Sequence, residues 1–449
     1  MHSSSGKRRR RLPLIAISLY PFQLWRDFWL IKKHNVFQAY CYKKRYLKES
    51  LSHWFALLHY LLIGERRGHW PNAFFDPTHF AKAQPRKPLR SSFAEYLRAV
   101  DGRAASPSAN FLHAWYCQQN PDWQKKYPHP FVHFWHKGLF EKRHPSPDLD
   151  IDFFCHTAGR GHGDIKIVLY DALASASSSV PLNQQELSRR QKKFYESISL
   201  QIVRAPPKPN NPFLVFVQAS RKYQCGFLDD ARGFDLMINY YDGCGKTEVC
   251  PDADYILCQK GTKTTAIRKI LAERPELLEK YEAVLFLDDD IEINQAGIMR
   301  IFSAMKACGL DLAQPALTPD SDCYFAVVKH PPPGQVLVPL TAVEIMMPAV
   351  SHRVLREFGW VFAQGTSGWA IDFLLSAKVR KRYGNKIALI ADVIARHDRP
   401  RDVESGAFYR YMKSHGIDPN IEAGYVAWKY GIDDSILAIS QHAQPLDFS

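Results

Sequence analysis

Between residues 212 and 400, short apolar runs of strand length alternate with stretches whose apolar positions recur every three to four residues. Residues 213–217, 234–241, 255–258, 283–287 and 386–390 read as strands, and residues 264–281 and 295–308 as helices. Strands without polar alternation are buried on both faces, and their alternation with helices builds a largely parallel α/β sheet. In such a sheet the binding residues gather at the carboxyl ends of the strands.

Residues 37–154 carry a different pattern. The segment from His59 to Pro71, with Gly64, Glu65, Arg66 and Gly68 inside it, recurs loosely from Glu95 to Pro107 and from His133 to Pro145. The anchors Tyr60, Tyr96 and Phe134 are 36 and 38 residues apart, as are Pro71, Pro107 and Pro145. A period of this length means stacked supersecondary units, here short helices closed by Gly and Pro. From 173 to 212 the chain turns to Ser, Gln, Lys and Pro, with a linker helix expected over 191–199. The expected organisation is a basic segment at 1–35, an α-helical repeat module at 36–155, a linker region at 156–211 and an α/β domain at 212–449.

Charge divides the chain the same way. Of 449 residues, 46% are hydrophobic and 23% charged, the usage of an ordinary folded protein. The net charge is +14, but residues 1–150 hold 25 Lys and Arg against 10 Asp and Glu, leaving 34 against 35 in the remainder. The C-terminal two thirds therefore offers no field for a polynucleotide, and no specific nucleic-acid partner is expected. Residues 7–11, Lys-Arg-Arg-Arg-Arg, precede an aromatic stretch interrupted by Pro13, Pro21, Arg26 and Asp27. That stretch is too broken to span a bilayer. Its Trp, Phe and Tyr residues among Arg and Lys have the composition of a segment lying on an anionic membrane surface; a basic tail followed by an ordinary packed helix is the alternative. Nine scattered cysteines, an odd number, read mostly as small core residues in a reducing compartment.

The chemistry concentrates at Leu285-Phe286-Leu287-Asp288-Asp289-Asp290, where an apolar strand runs into three carboxylates. Adjacent acids repel unless a hard cation such as Mn²⁺ or Mg²⁺ neutralises them through oxygen ligands, and such an ion can also hold a diphosphate. A solvated turn or a helix cap is the plain alternative. The templates of other chemistries are missing: no phosphate-cradling Gly-x-x-x-x-Gly-Lys loop, no nucleophile elbow and no His-Glu-x-x-His pair.

The Asp288–Asp290 triplet stands where GT-A type glycosyltransferases carry their Asp-x-Asp motif. Tyr240-Tyr241-Asp242-Gly243, the segments 310–317 and 343–350, and Ser367-Gly368-Trp369-Ala370-Ile371-Asp372 follow the order seen in domain-of-unknown-function family 707. Residues 212–400 resemble that family, which itself looks like a divergent GT-A glycosyltransferase. The N-terminal repeats resemble those beside bacterial surface-polysaccharide glycosyltransferases. The resemblance implies a GT-A-like, Rossmann-type C-terminal domain behind an α-helical repeat domain. It also implies a divalent cation held by Asp288 and Asp290, with His397 as a third ligand. Asp242 and Lys263, together with Asp288, would meet the nucleotide diphosphate. Asp372 would be the general base, and Gly368 and Trp369 would face the acceptor.

The expected function is transfer of a sugar from a nucleotide-sugar donor to a saccharide or glycolipid acceptor in surface-polysaccharide synthesis, on the cytoplasmic face of the inner membrane. The alternatives are a non-catalytic carbohydrate-binding or scaffold protein on the same fold, and a metal-dependent phosphoryl or nucleotidyl transferase.

Overall fold

A computed structural model describes residues 20–440 apart from 85–86, 88–89, 100–103, 176–179, 224, 226–231, 244–249, 398, 400–401 and 403–405. The chain divides into two compact units, Met1–Gln184 and Gln185–Ser449. The expected tail at 1–19 lies outside the described residues. No helix among the described residues is long and apolar enough to cross a membrane.

The first unit is made of short helices, and its repeat is visible as recurring bonds. The backbone N–H of Gln38 donates to the Pro71 carbonyl (2.9 Å), Asp76 to Pro107 (3.0 Å), Leu112 to Pro145 (3.0 Å) and Asp150 to Leu182 (3.1 Å). Each such bond ties the start of one repeat to the close of that same repeat, which explains the spacing of the prolines. Tyr42 and His59, and again Tyr116 and His133, share a hydrogen bond of 2.9 Å, each pair 17 residues apart. Both pairs lead into a π-helical turn, Tyr60–Gly64 and Phe134–Gly138. At Gly64 and Gly138 a Cβ would overlap the hydroxyl of Tyr42 or Tyr116, so only glycine fits beneath the tyrosine. The core is aromatic, with Phe74, Phe75, Phe93, Phe111, Phe131 and Phe134 fully buried.

The stretch expected as a linker is ordered into secondary structure. It contains the helices Ile165–Leu173 and Gln184–Glu196 and the first strand, β1 (Gln201–Arg204). The Gln184–Glu196 helix starts seven residues earlier than its Gln-Lys-rich half predicts.

The second unit is built on a sheet of β1, β2 (Phe213–Ala219), β3 (Asp235–Tyr240), β4 (Tyr255–Cys258), β5 (Ala283–Asp288), β6 (Ile291–Glu292), β7 (Leu312–Leu317), β8 (Leu337–Pro339), β9 (Ala349–Ser351) and β10 (Ile387–His397). The order is β1-β4-β3-β2-β5-β9-β7-β10-β6, with β8 also on β10. Strands β4, β3, β2 and β5 run parallel, and β2 and β3 are buried along their whole length. The chain builds outward from β2 through β3 to β4 and then returns to lay β5 on the other side. The sheet therefore reverses between β2 and β5, the place where α/β sheets open a binding crevice beyond their strand ends.

Two expected elements end differently. The helix expected over 264–281 is Lys263–Glu273 followed by Glu276–Glu279, because Pro275 has no N–H to continue the ladder. The late strand runs on from 390 to 397, past a register shift against β7 between Ile390 and Ile394. His397 is thus the last residue of a strand rather than part of the loop after it. Cys258 is disulfide-bonded, so uniformly reduced thiols do not hold at that position, while Cys41, Cys225, Cys250 and Cys323 are among the free ones.

Candidate active site

The three aspartates leave β5 in three directions, and each is fixed by a different part of the sheet. Asp288, partly buried at the strand end, pairs through Oδ1 with the ammonium of Lys263 at 2.9 Å. Lys263 opens a helix capped by Thr262 and is only 6% exposed; its Nζ also donates to the Met346 carbonyl at 2.8 Å. The Asp288 N–H donates to the same carbonyl at 3.1 Å. Burial pushes the Asp288 carboxyl up, Lys263 opposing and Asp290 adding to the effect.

Asp289 turns toward β2. Its Oδ2 accepts from the Ser220 N–H at 2.9 Å and from the Tyr241 hydroxyl at 3.3 Å, and burial raises its carboxyl too. Asp290 turns toward β10, where β6 pairs antiparallel with the strand end and sets Ile291 opposite His397. His397 Nε2 lies 3.6 Å from Asp290 Oδ2, and its Nδ1 donates to the Asp322 carbonyl at 2.8 Å. The carboxylate beside it raises the imidazole above 6.5, against the effect of burial. Burial works to raise Asp290 as well, but His397 and the charge of Arg399 hold it below its ordinary value.

Asp372 is the second residue of the helix Ile371–Tyr383 and is 7% exposed. Its Oδ2 accepts from the Ile345 N–H at 2.8 Å and its Oδ1 from the Phe373 N–H at 2.9 Å. Burial, with Glu344 nearby, pushes it up to about 7. Because Ile345 adjoins Met346, which caps both Lys263 and Asp288, one short segment links Asp372 to the triad. The turn before the helix is tight: Gly368 has φ +95° and a Cβ there would lie 2.7 Å from Thr264 Oγ1, while Ala370 has φ +62°. Trp369 is half-buried and meets Tyr409 edge-on at 6.0 Å. Asp242 sits beyond β3, where its carboxylate accepts from the Arg221 N–H at 3.1 Å.

The structure thus brings Asp288, Asp290, Lys263, His397 and, through residues 345–346, Asp372 to one end of the sheet. The metal set expected from the sequence is divided into two ion pairs, and among the described residues no three His, Cys, Asp or Glu side chains form a ready metal centre. Arg268, another basic residue of the same helix, stacks on Tyr195 at 3.7 Å instead of joining the site.

Several residues of the site were not singled out from sequence. Asp289 ties β5 to Ser220 and Tyr241. Glu422, fully buried, accepts from the N–H groups of Thr366 (3.0 Å) and Ser367 (2.7 Å) and so shapes the turn that precedes Gly368. An acid on the apolar side of the helix Pro419–Tyr430 was the only available signal for Glu422. A cleft of about 650 Å³ opens beside the triad, lined among others by Ser220, Tyr223, Asp289, Glu292, Arg396 and Arg399. It borders Asp289 rather than Asp288 or Asp290.

No protein-family model matches the sequence, and no curated relative is found. Among solved structures, the chain is similar to residues 1–349 of TarS from S. aureus, at 14% identity and a TM-score of 0.30, over 49% of this chain and 72% of that one. It is also similar to glucosyl-3-phosphoglycerate synthase from Mycobacterium tuberculosis, solved with Mn²⁺, uridine diphosphate and glucosyl-3-phosphoglycerate, at 13% identity and a TM-score of 0.27, over 46% and 81%. Similarity at this level decides nothing about the site, whose reading rests on the geometry above.

Proposed function

We propose that the chain is a GT-A-like glycosyltransferase that moves a sugar from a nucleotide-diphosphate donor to a saccharide or glycolipid acceptor, in surface-polysaccharide synthesis. The observation that carries this reading is the carboxylate triad at the end of β5, beside the reversal point of the sheet, with one acid paired to Lys263 and another to His397.

The donor set fits a divalent cation. Asp288 Oδ2 and Asp290 Oδ1 are not the atoms engaged in the two ion pairs, and the His397 Nδ1–H to Asp322 bond fixes the tautomer that leaves Nε2 as the ligand atom. Asp288, Asp290 and His397 would hold the ion, Mn²⁺ or Mg²⁺. When bound, it supplies positive charge against the diphosphate that departs.

The chain's own residues supply the rest. Lys263 places a desolvated cation where negative charge grows as the sugar–phosphate bond breaks, and a preformed charge in a low-dielectric pocket needs no reorganisation during reaction. Asp242, at the end of β3, is offered to the nucleotide. In an inverting transfer the acceptor hydroxyl loses its proton as its oxygen attacks the anomeric carbon. A carboxyl held near 7, as Asp372 is, suits that role because it is ionised in part at neutral pH yet remains a competent base. The Gly368–Trp369 turn would meet the acceptor.

Calorimetry of the full chain with nucleotide sugars, with and without Mn²⁺, tests this reading. Metal-dependent binding of one nucleotide class, lost in Asp290→Ala, is expected; well-folded protein that binds no nucleotide sugar would remove it. A second reading, a non-catalytic binding protein on the same fold, is favoured by one feature: Lys263 already neutralises Asp288, so the fold does not require a metal there.

A further inference from the structure

The helix Tyr20–His34 has two apolar stripes. Phe28 and Ile31 are buried in the first unit, and Asp27, 2% exposed, is anchored by the Arg98 guanidinium at 2.5 Å and the Ser91 N–H at 2.9 Å. That side fixes the helix's rotation. It leaves Phe22, Trp25 and Trp29, at positions i, i+3 and i+7, on the other side with 65%, 51% and 52% of their surface in water. Trp54, from the helix His53–His59, continues the surface: it is exposed and meets Trp29 edge-on at 5.6 Å. Single exposed aromatics are ordinary, but four in one contiguous area on a folded unit mark an interaction surface.

The surrounding charge says which partner. The helix itself carries Arg26, Lys32 and Lys33 against one acid, the buried Asp27. Lys32 Nζ lies over the Trp54 ring at 3.6 Å and the Trp29 ring at 4.7 Å, so cations are interleaved with the aromatics rather than held apart from them. A groove of about 480 Å³ runs along the same face, lined by Trp25 and Trp29 together with Arg26, Lys33 and Arg98. Lysine is depleted from protein–protein interfaces, whereas Trp set among Lys and Arg is the composition of the boundary between lipid headgroups and acyl chains.

We propose that this face docks on an anionic lipid bilayer, with Phe22, Trp25, Trp29 and Trp54 entering the headgroup boundary and Arg26, Lys32 and Lys33 meeting lipid phosphates. The helix lies along the surface, because its opposite stripe stays in the protein core. The proposal is independent of the catalytic reading, since it uses no residue of the second unit.

Co-sedimentation of the full chain with vesicles of phosphatidylcholine alone, and with an admixture of phosphatidylglycerol, tests it. Binding to the anionic vesicles only, weakening with salt, is expected, together with a blue shift of tryptophan emission. Trp25→Ser with Trp29→Ser should lower partitioning roughly tenfold or more. Lys32→Gln with Lys33→Gln should lower it about fivefold per charge. Should the Trp pair unsettle the fold, Phe22→Ser with Lys33→Gln removes part of the same face while leaving Trp54 in place.

Wild-type protein that ignores anionic vesicles overturns the proposal. So does Trp-variant protein that binds as wild type while glutamine at positions 7–11 abolishes binding, which would place all the affinity in the basic tail. A patch variant that breaks up a wild-type dimer without changing vesicle binding would assign the face to a second copy instead, and would overturn it too.

Discussion

Asp372 is a carboxyl that the fold pays to keep, and the cost can be measured. Its ordinary value is 3.8 and burial lifts it to about 7. Ionising it therefore costs the folded chain about 4 kcal/mol more than the unfolded one. Between those two values the folded state binds more protons than the unfolded state, so this group's contribution to stability falls as pH rises, and the full penalty is present above about pH 7. In Asp372→Asn the penalty disappears. The amide oxygen can still accept from the Ile345 N–H, but the bond to the Phe373 N–H is lost, at about 1 kcal/mol. The variant should be slightly less stable than wild type near pH 4 and more stable by roughly 3 kcal/mol near pH 8. Urea denaturation of both proteins at the two pH values, followed by circular dichroism, reads the difference directly. Subtracting wild type from variant removes the raised carboxyls of Asp288 and Asp289, which both proteins share. A difference that stays the same at both pH values would mean that Asp372 ionises as an ordinary surface acid, and would refute the reasoning.

Two further perturbations probe the other unit and the triad. Gly138→Ala places a Cβ on the Tyr116 hydroxyl and should destabilise the helical unit by about 2 kcal/mol. Gly163→Ala, with open space around it, should leave thermal unfolding almost unchanged, and equal shifts for the two would reject the packing argument. Asp290→Asn removes the main cause of the raised His397 value, so an NMR titration should find the imidazole moving back toward 6.5. In wild type the stabilisation from protonated His397 is fully present below about 6.5 and is lost as pH rises through the raised folded value; in the variant that component should vanish. A titration unchanged by the substitution would show that Asp322, not Asp290, sets the histidine.

The apolar runs made β2, β3, β4 and β5 legible because strands buried on both faces need no polar alternation to be recognised. The carboxylate triad was legible for the same reason, since charge directly after such a run must lie at a strand end. β6, β8 and β9 were not legible. They are two or three residues long and exist only through their partners on β5, β7 and β10. The length of β10 was hidden as well: residues 391–397 alternate exposed and buried positions, and Arg396 looks like the start of a loop. At the site, Lys263 could be named but not placed, because only the fold reveals that its helix begins under Met346. The division of Asp288, Asp289 and Asp290 among three partners is likewise tertiary, as adjacent residues in a sequence carry no sign of which way they turn.

The proline-closed repeats of the first unit have a consequence for how such a chain can change. Each repeat is closed on itself by the same backbone bond: Gln38, Asp76, Leu112 and Asp150 donate alike, and Leu182 accepts where Pro71, Pro107 and Pro145 do. A repeat of 36 or 38 residues could be duplicated or deleted and its closing donor and acceptor would come or go together. The helical unit therefore has a length that can be reset in whole steps, as a ruler assembled from like segments.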